Sequence, residues 1–476
     1  MADKDKNRIN NSKLQNNDDK LNENRLFEGK QTEGRLKKKI CVIGLGYIGL
    51  PTAAMFATHG HIILGVDVNQ AVVDSLNQGK IIIEEPYLDI LVQAAVTSGN
   101  LTASTVPNQA DVFIICVPTP INPDKTSDMT FVRKATESIV PFLREGNIVI
   151  LESTSPPGTV RELMLPILEK SGLKPGSQLF VAHSPERVLP GRILIELVEN
   201  NRIVGGIDTA SSEAVRDLYR TFVKGEIYLT DTATAEMCKL MENTYRDVNI
   251  ALANELAMMC EQLGISAWEV ISLSNRHPRV NLHQPGPGVG GHCIAVDPWF
   301  IVEKCPETAK IINLCREIND NMPHFVLDKI RHILGGINGG TNVNGDTNVK
   351  VAQFAKVSEV AKVTVLGVTY KPNVDDMRES PIIELLHLMD QESSFQVSVY
   401  DPHIRDCPHL EKDLLRAVDG ASLLLLAVNH NEFRDIDFER IKSVMANPVV
   451  LDTRNFWNRD KLVAAGFEYH LLGSGK

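Results

Sequence analysis

The sequence lacks several features that would place the protein in a specialised class. Its eight cysteines are scattered and none forms a C-x-x-C pair, so neither a disulfide framework nor a cysteine-rich metal site is expected. No apolar run approaches the roughly 20 residues that a transmembrane helix needs, and no secretory leader is recognisable. These absences indicate a soluble protein of a reducing compartment, and we expect a cytoplasmic location and no membrane partner.

An excess of positive charge is also missing. The 60 Asp and Glu residues outnumber the 49 Lys and Arg residues, and the formal net charge is −11 at pH 7. Such a balance argues against a nucleic-acid or anionic-membrane partner, although it leaves room for a local basic pocket that binds a phosphorylated small molecule. The apolar fraction of 43% is ordinary for a globular protein. The length of 476 residues predicts two or three domains.

Two polar segments interrupt the globular pattern. Residues 1–37 are mostly Asn, Asp, Lys and Glu, so we predict a disordered polar extension without chemistry of its own. The tract 335–348 is rich in Gly and Asn and predicts a surface insertion.

A dinucleotide-binding fingerprint follows the extension. A short apolar strand, Ile40 to Ile43, leads into a glycine-rich turn and a helix of small residues, and Asp67 lies near the end of the next strand. The turn consists of Gly44, Leu45, Gly46, Tyr47, Ile48 and Gly49. Such glycines let a pyrophosphate approach the N-terminus of the helix, whose free N–H groups favour anions. Because Asp67 would hold ribose hydroxyls and repel a 2′-phosphate, the pattern predicts NAD rather than NADP.

Polar side chains also follow three later strands. Thr119 ends the strand within 111–120, Thr154 follows the strand within 148–159, and Glu186 lies in a proline-bounded loop within 179–192. The carboxyl ends of strands are where open α/β sheets bind ligands. Either threonine could instead cap a helix, and Glu186 could be an ordinary solvated loop residue.

A change to helical periodicity marks residues 230–283. One long helix is predicted there, and Lys239 and Asn243, four residues apart, share one of its faces. The two side chains could stabilise a developing oxyanion, or they could belong to a solvated stripe. In the next loop Arg276 and Arg279 are possible phosphate partners, with an ordinary solvated loop as the alternative.

The stretch 285–300 reads PGPGVGGHCIAVDPWF and contains four glycines shortly before Cys293 and Asp297. Glycines that lead into a single cysteine indicate a loop that presents a sulfur to a ligand. The alternative is a tight turn before a helix, in which Cys293 is a small buried hydrophobic residue. In that turn Asp297 would be the N-cap before Pro298, and this capping role is compatible with a catalytic one.

A second α/β unit follows, with apolar strands predicted within 363–386, 397–402, 423–428 and 449–454. Its first strand leads to a single glycine, Gly367, and so lacks a full fingerprint. Lys371 and Arg378 are candidates for binding a second phosphate-bearing ligand, unless they only form surface salt bridges.

Seven motifs in this order resemble the UDP-glucose/GDP-mannose dehydrogenase family, from about Lys38 to the C-terminus. They are GLGYIGLP, CVPTP, ESTSPPGT, SPERVLPG, TAEMCKLMENTYRDVN, PGPGVGGHCIAVDP and GVTYKPNVDDMRESP. Within that family the segments SPERVLPGR, NRHPRVN and GGHCIAVDPWF look most similar to the UDP-N-acetyl-D-mannosamine dehydrogenases. UDP-glucose enzymes typically read GFGGSC where this chain reads GVGGHC.

The resemblance implies an α/β fold with two Rossmann-like doubly wound domains, joined by a central helical domain with a long connecting helix. We expect an NAD-binding domain at 38–229, a central helical dimerisation and active-site domain at 230–325, and a C-terminal UDP-sugar-binding domain at 326–476. A homodimer or higher homo-oligomer is implied, and no metal is expected.

The resemblance also implies the reaction. The C6 hydroxyl of UDP-N-acetyl-D-mannosamine would be oxidised to a carboxylate in two steps that consume two NAD⁺, with Cys293 as the nucleophile that forms a thiohemiacetal and then a thioester. The same chemistry on UDP-N-acetylglucosamine, UDP-N-acetylgalactosamine or UDP-glucose is the alternative. A protein that binds NAD or a nucleotide sugar without catalysis is a further one.

Other residues match positions of known role in the family. Lys239 and Asn243 match the pair that stabilises the oxyanion, Asp297 an acid that manages protons and water, Glu186 a residue of thioester hydrolysis, and Thr154 an active-site threonine. Thr119 and Thr154 are also expected to contact the cofactor. Arg279 matches an arginine that reaches the sugar nucleotide across a dimer interface. The remaining expected substrate contacts are Arg187, Arg246, His292, Tyr370 and Lys371, and Arg378 is expected near the cofactor. Pro190 replaces a second acid of the UDP-glucose enzymes, so His292 could share in hydrolysis, orient the loop, or contact the acetamido group.

Overall fold

The computed structural model describes residues 37–83, 85–337 and 360–475. The chain divides into two compact units, Met1–Lys239 and Leu240–Lys476. The boundary falls inside one helix, and the three-domain division expected from the sequence stays a prediction. The N-terminal extension lies almost entirely outside the described residues, as does most of the tract 335–348. The first residues of that tract are not an insertion, because they continue a helix that ends at Ile337.

Eight strands form the sheet of the first unit, in the order β3-β2-β1-β4-β5-β6-β7-β8. The strands are β1 Lys39–Ile43, β2 Ile62–Val66, β3 Leu101–Ser104, β4 Val112–Ile115, β5 Asn147–Leu151, β6 Leu179–His183, β7 Arg202–Gly206 and β8 Ile227–Asp231. All neighbours are parallel except β6 and β7, which run antiparallel. The strand order reverses between β1 and β4, and doubly wound sheets bind ligands in the crevice at that point.

Seven α-helices of the described residues cover this sheet. They are α1 Gly49–Thr58, α2 Gln70–Asn77, α3 Leu88–Thr97, α4 Thr130–Ile139, α5 Leu165–Leu168, α6 Ile193–Glu199 and α7 Thr209–Tyr219. Two of them begin at polar caps: the Asn69 side chain accepts the Ala71 N–H, and the Asp208 side chain accepts the Ser211 N–H. These caps satisfy backbone donors that the first turn of a helix leaves free.

The central strands bury both of their faces. Ile40 and Val42 of β1 belong to one apolar cluster with α1, α3, α6 and α7, whereas Cys41 and Ile43 belong to another with α4 and α5. Successive residues of a strand point to opposite faces of the sheet, so a sheet covered on both sides needs continuous apolar strands. This is why the sequence shows these strands as unbroken apolar runs.

The second unit has a five-stranded parallel sheet in the order β10-β9-β11-β12-β13. Its strands are β9 Ala361–Leu366, β10 Phe395–Tyr400, β11 Leu423–Leu426, β12 Val449–Asp452 and β13 Glu468–Leu471. Its helices are α9 Ala267–Ser274, α10 Asp297–Lys304, α11 Lys310–Ile337, α12 Pro381–Asp390, α13 Leu414–Val418, α14 Phe438–Lys442 and α15 Arg459–Ala464. The expected fold of two Rossmann-like sheets with a helical region between them is confirmed.

The remaining helix, α8, spans Thr232–Leu263 and contains the boundary between the units. Its 32 residues make it about 48 Å long, in agreement with the long connecting helix expected from the sequence. Across residues 37–83, 85–337 and 360–475, no helix combines the length and hydropathy that crossing a membrane requires.

Candidate active site

The three glycines of the fingerprint serve different purposes. Gly44 has φ +92° and lies so close to β4 that an added Cβ would come within 2.4 Å of the Cys116 carbonyl oxygen. An added Cβ on Gly49 would meet the Gly44 carbonyl oxygen at 1.8 Å, whereas one on Gly46 would meet nothing within 4 Å. The protein itself therefore requires Gly44 and Gly49, and Gly46 leaves open space in front of the turn, where the pyrophosphate of a dinucleotide would lie.

Asp67 directly follows β2 and faces this turn. Its Oδ2 accepts the Leu45 N–H at 3.0 Å and its Oδ1 accepts the Asn69 N–H at 2.9 Å, while the residue stays half-buried. Helix α1 begins at the turn after Ile48, which makes no side-chain cap, and Tyr47 is 36% exposed. The open space at Gly46, the uncapped start of α1 and the hydrogen-bonded Asp67 carboxylate together fit NAD. Its pyrophosphate would lie at the start of the helix and its ribose at Asp67.

The two threonines at strand ends do not cap helices. Thr119 and Thr154 are both half-buried, but the helical turns that follow them begin after Met129 and Thr159, and neither start has a side-chain cap. Between them, Ser153 Oγ donates to the Val117 carbonyl at 2.7 Å and joins the two strand ends. The capping alternative is therefore wrong for both threonines, and their expected roles stay predictions.

Glu186 is not a solvated loop residue. Its side chain is only 7% exposed and forms an ion pair with Arg202, whose side chain is 4% exposed. The same guanidinium also contacts Glu152, which is fully buried, at 3.2 Å. Burial raises the pKa of Glu152, and the charge of Arg202 opposes that rise. Sequence reasoning missed Glu152 and Arg202: the first lies in the ESTSPPGT motif, and no motif contained the second.

Arg187, next to Glu186, is held to the backbone of the same unit. Its Nη2 donates to the Asn201 carbonyl, and its backbone N–H donates to Glu186 Oε1 at 2.7 Å. The expected contact of Arg187 with substrate stays a prediction.

In the second unit, Asn243 and Asp297 form a buried pair. Asn243 Nδ2 donates to Asp297 Oδ2, and Arg246 Nη2 donates to Asn243 Oδ1. Asn243 is 1% exposed and Asp297 is 3% exposed, whereas Lys239, one turn earlier on α8, is half-buried. The solvated-stripe alternative is therefore wrong for Asn243, because its amide holds an acid inside the protein.

The predicted N-cap role of Asp297 is wrong. Helix α10 begins at Asp297 itself, and the residue in the N-cap position is Val296, which makes no side-chain cap. The Asp297 carboxylate accepts a hydrogen bond from the Asn243 side chain through its Oδ2. Pro298 does lie in the first turn, as expected.

Cys293 lies immediately before α10, since the Val296 and Asp297 N–H groups donate to its carbonyl at 3.0 and 2.8 Å. It is half-buried, unlike Cys41, Cys260 and Cys315, which are buried and have raised pKa values because burial disfavours their thiolates. The backbone bonds place Cys293 in the turn that leads into the helix, and its thiol stays partly accessible there. The alternative of a small buried hydrophobic residue is therefore wrong for Cys293.

The glycines before Cys293 allow two loops to touch. An added Cβ would come within 2.8 Å of Pro381 at Gly288, within 2.4 Å of the Glu379 carbonyl at Gly290, and within 2.8 Å of the Tyr370 ring at Gly291. The loop thus packs directly onto the segment 370–381, which carries the YKPNVDDMRESP motif. Backbone bonds support this packing, because the Gly291 N–H donates to the Arg378 carbonyl at 3.2 Å.

The two cations of that segment differ in their partners. Arg378 pairs with Asp376 at 2.7 Å. Burial alone would raise the pKa of Asp376, yet hydrogen bonds from Arg378, together with electrostatic attraction to Arg378 and to the nearby His292, hold that pKa below its ordinary value. Lys371 contacts the Tyr370 ring, with Nζ 5.5 Å from the centroid, and pairs with no carboxylate of the described residues. The salt-bridge alternative therefore holds for Arg378 and not for Lys371.

Arg454 is a further cation that sequence reasoning missed. It follows β12, its Nε donates to the Ala427 carbonyl at 3.0 Å, and its guanidinium lies where a Cβ on Gly286 would project. Burial lowers the pKa of Arg454 to about 10, and the neighbouring Asp452 opposes the shift. The Asp452 side chain accepts backbone N–H groups and the Tyr469 hydroxyl instead. A half-buried guanidinium without a carboxylate partner among the described residues is suited to an anionic ligand.

Arg279 lies in an exposed loop, where the described residues offer its side chain no partner. The expectation that it reaches a sugar nucleotide across an interface stays a prediction.

One group of side chains has the spacing of metal ligands within the described part of the chain: His403, His430 and Glu432. His430 Nδ1 accepts the Asn373 N–H at 2.9 Å, so the ring proton is on Nε2, which lies 3.1 Å from Asp401. Both ring nitrogens of His430 are therefore engaged within the protein. The hydrogen bonds explain this cluster without a metal.

Comparisons with known proteins agree with these features. The chain matches three family models: UDP-glucose/GDP-mannose dehydrogenase family, NAD binding domain, over residues 38–223; its central domain over 233–321; and its UDP binding domain over 364–459. A UDP-N-acetyl-D-mannosamine dehydrogenase of Methanocaldococcus jannaschii is 47% identical, over 92% of this chain and 97% of that protein. An NDP-N-acetyl-D-galactosaminuronic acid dehydrogenase of Ralstonia solanacearum is 46% identical, over 90% and 98%.

Solved structures show the same similarity. The UDP-D-ManNAc dehydrogenase from Pyrococcus horikoshii superposes with a TM-score of 0.83 at 39% identity, over 92% of this chain and 99% of that chain. The UDP-N-acetyl-mannosamine dehydrogenase Cap5O from S. aureus superposes with a TM-score of 0.80 at 47% identity, over the same shares.

The different purposes of the glycines lead to a prediction. Gly46→Ala should leave the unfolding midpoint unchanged but weaken NAD⁺ binding by about tenfold or more, equivalent to about 1.4 kcal/mol, because a methyl group would enter the open space. Gly49→Ala should lower the free energy of unfolding by about 1–3 kcal/mol through overpacking. Thermal unfolding and calorimetric titration with NAD⁺ measure both effects.

Gly335→Ala in α11 is the matched control, because a Cβ there also meets nothing within 4 Å. It should lower neither the free energy of unfolding nor the affinity for NAD⁺. Unchanged NAD⁺ affinity in Gly46→Ala would show that the pyrophosphate lies elsewhere.

Proposed function

Because the chain belongs to the UDP-glucose/GDP-mannose dehydrogenase family, we propose that it oxidises the C6 hydroxyl of UDP-N-acetyl-D-mannosamine to the carboxylate. It is an NAD-dependent dehydrogenase of UDP-sugars. The choice of sugar rests on relatives that are 45–47% identical and carry that name. Relatives named for N-acetyl-galactosaminuronic acid are 46% identical, so another N-acetylated UDP-sugar is the second candidate.

The observation that best supports four-electron chemistry is the setting of Cys293. It is a half-buried thiol at the start of α10, and the carboxylate of Asp297, in the first position of that helix, is held by Asn243. Oxidation of an alcohol to an aldehyde needs no such nucleophile. Oxidation of the aldehyde to an acid does, because covalent capture gives a tetrahedral carbon that can release a second hydride.

Bound NAD⁺ supplies the acceptor for each of the two hydrides. In the first half of the proposed reaction, C6 of the sugar loses a hydride and its hydroxyl loses a proton, which gives an aldehyde. The Cys293 sulfur then forms a bond to that carbon, and Lys239 and the Asn243 amide stabilise the oxyanion until it is protonated. The product of this half is a thiohemiacetal.

In the second half the thiohemiacetal carbon loses a hydride and its hydroxyl a proton, which leaves a thioester. Water then adds to the carbonyl carbon, and the C–S bond breaks to release the acid and restore the thiol. Glu186 and Asp297 are proposed to take and return the protons of this water, and Thr154 to position it. In this step the acyl group passes from sulfur to the oxygen of water, and nothing is oxidised or reduced.

The diphosphate of the substrate needs cations that are not already paired. Lys371 and Arg454 are two cations of the second unit that meet that condition within the described residues, and we assign them to the diphosphate. Tyr370, Arg246, Arg279, Arg187 and His292 stay proposed substrate contacts, and Thr119 a proposed cofactor contact. A cofactor role for Arg378 would require its ion pair with Asp376 to open.

A homodimer is part of the proposal. Five large apolar residues along α8 are 43–71% exposed: Met241, Tyr245, Leu252, Met259 and Leu263. Their spacings of four and seven residues place them on one stripe of the helix, as in helices that pair. A stripe of this size on a long helix suits a second copy of the same helix. We further propose a cytoplasmic location.

The substrate is tested with a panel of sugar nucleotides. UDP-N-acetyl-D-mannosamine should be converted with two NADH formed per sugar, and with a kcat/KM at least about tenfold above those of UDP-N-acetylglucosamine, UDP-N-acetylgalactosamine and UDP-glucose. NADH absorbance and mass spectrometry of the product give both quantities. Turnover of none of the N-acetylated sugars would contradict the proposal, and a protein that only binds its ligands would produce no NADH at all.

The nucleophile is tested with Cys293→Ala. This variant should form no detectable acid but should bind NAD⁺ with unchanged affinity, because the fingerprint lies elsewhere in the chain. The control is Cys305→Ala, which removes an exposed thiol and should keep full activity. Acid formation by Cys293→Ala at the wild-type rate would refute a thioester mechanism.

The dimer is tested with Leu252→Glu. Light scattering after size exclusion should give twice the 52.6 kDa of one chain for the wild type, and one chain for the variant, because a charge would be buried in the stripe. Val463→Glu is the control, since Val463 is also exposed (52%) but lies on α15. A monomeric wild type, or a variant that stays dimeric, would show that this stripe is not the interface.

A further inference from the structure

Arg202 joins two buried carboxylates in the first unit. Its side chain is 4% exposed, and those of Glu152 and Glu186 are 0% and 7% exposed. Its Nη1 lies 3.2 Å from both Glu152 Oε1 and Ser184 Oγ, and its Nη2 donates to Glu186 Oε2. The planar guanidinium thus holds one carboxylate on each terminal nitrogen.

The antiparallel strand pair explains why these residues meet. Strands β6 and β7 pair Ala182 with Gly206 and His183 with Gly205. Continuing the same register for three more residues places Arg202, the first residue of β7, opposite Glu186 in the loop after β6. A parallel β7 would have placed its first residue at the other edge of the sheet. The one reversed strand pair of this sheet therefore delivers the guanidinium to Glu186.

The far side of Arg202 is held equally firmly. The Glu152 carboxylate accepts hydrogen bonds from Cys116 Sγ at 3.1 Å, from Thr52 Oγ1 at 3.3 Å and from the Tyr219 hydroxyl. The guanidinium carbon of Arg202 also lies 4.1 Å from the centroid of the Tyr219 ring. Both oxygens of Glu152 accept hydrogen bonds, so its carboxylate is held in place. Through its contact with Glu152, the Arg202 guanidinium is held in place as well.

As a result, Glu186 has one favoured orientation. Its Oε2 is held by Arg202 and its Oε1 by the Arg187 N–H at 2.7 Å, so each oxygen still has a lone pair for a further partner. The same loop is tied down farther along by Glu85, which accepts the Gly191 and Ile193 N–H groups at 2.7 Å. The orientation of the Glu186 carboxylate is therefore fixed by its partners within the protein.

We propose that Arg202 is a positioning residue for thioester hydrolysis: it holds the Glu186 carboxylate in a single orientation, in which that carboxylate accepts a proton from the attacking water. Glu152 balances the other half of the guanidinium. This inference rests on the proposed function, which gives Glu186 its role in hydrolysis. Removal of the two guanidinium contacts of Arg202 should slow release of the acid and leave the rates of both hydride transfers unchanged.

The test compares Glu186→Gln with Arg202→Lys, using full-length protein, UDP-N-acetyl-D-mannosamine and NAD⁺. A lysine keeps the positive charge, but one ammonium cannot hold both carboxylates in the geometry of the fork. Both variants should show a normal burst of two NADH per chain and then a steady-state rate at least about tenfold lower. Mass spectrometry of the intact protein should find the sugar bound as a thioester at Cys293.

Hydroxylamine supplies a readout that a purely structural defect would not move. It attacks a thioester without needing a general base, so it should release the sugar as a hydroxamate and restore turnover in both variants. Arg216→Lys is the matched control, because Arg216 forms an ion pair with Asp217 at 2.9 Å on the surface of the same unit. It should show no adduct and a wild-type rate.

A double variant separates positioning from charge balance. Arg202→Met combined with Glu152→Gln leaves the cluster with its original net charge, because one cation and one anion are removed together, yet Glu186 Oε2 loses its side-chain partner. We expect it to fold and to accumulate the thioester, and it decides the question should Arg202→Lys fail to fold. Wild-type hydrolysis in this double variant, or in a folded Arg202→Lys, would overturn the positioning role.

The reference variant keeps the two proposals apart. If Glu186→Gln accumulates no thioester, the role of Glu186 in the proposed function is wrong, and the inference about Arg202 fails with it. If Glu186→Gln accumulates the adduct while the Arg202 variants do not, the proposed function stands and only the inference about Arg202 is overturned.

Discussion

One buried polar face of α8 organises the surroundings of Cys293 in the second unit. Asn243 holds Asp297 at the start of α10, Asp247 pairs with Arg316 of α11, and Asn254 accepts the N–H of Gly286 at 2.9 Å. Asn254 also donates to Asn319 at 2.9 Å, and Asn319 to Asp247 at 2.8 Å. An unpaired buried polar group costs about 1–3 kcal/mol, so any shift of the loop or of either helix would break several bonds at once. The polar face of α8 thus holds the segments on both sides of Cys293 in place.

The two sheets share one turn, which we call the glycine–acid turn, but it differs in what surrounds it. In each sheet a glycine with positive φ, Gly44 or Gly367, follows the first strand. The next residue donates its N–H to the acid after the neighbouring strand, which is Asp67 in the first sheet and Asp401 in the second. Asp67 stays half-buried beside open space, whereas His430 hydrogen-bonds to Asp401 and both side chains are fully buried. The glycine–acid turn of the first sheet therefore suits the ribose of a dinucleotide, whereas side chains of the protein fill the space at the second.

Local patterns predicted the parts of the structure that depend on neighbouring residues. Sheets covered on both faces require continuous apolar strands, so β1, β4, β5, β9 and β11 could be read directly from the sequence. The fingerprint, the long helix and the glycine-framed Cys293 were found in the same way. Partners far apart in the chain were not predictable: Arg202 and Arg454 belong to no motif, and Asp297 satisfies the pattern of an N-cap although its carboxylate bonds to Asn243, 54 residues away.

By itself, then, the sequence determined the fold class and the NAD fingerprint, because both depend on short-range periodicity or on a turn that only glycine allows. The order of the motifs determined the family resemblance, and that resemblance supplied the residues expected to carry the chemistry. Only the tertiary structure decided which charges are paired. It placed Glu186 against Arg202 through an antiparallel register, bound Arg378 to Asp376, and left Lys371 and Arg454 without carboxylate partners among the described residues. The physical reason is that the energy of a charge depends on its burial and on its nearest opposite charge, and both are set by segments that the chain brings together only when it folds.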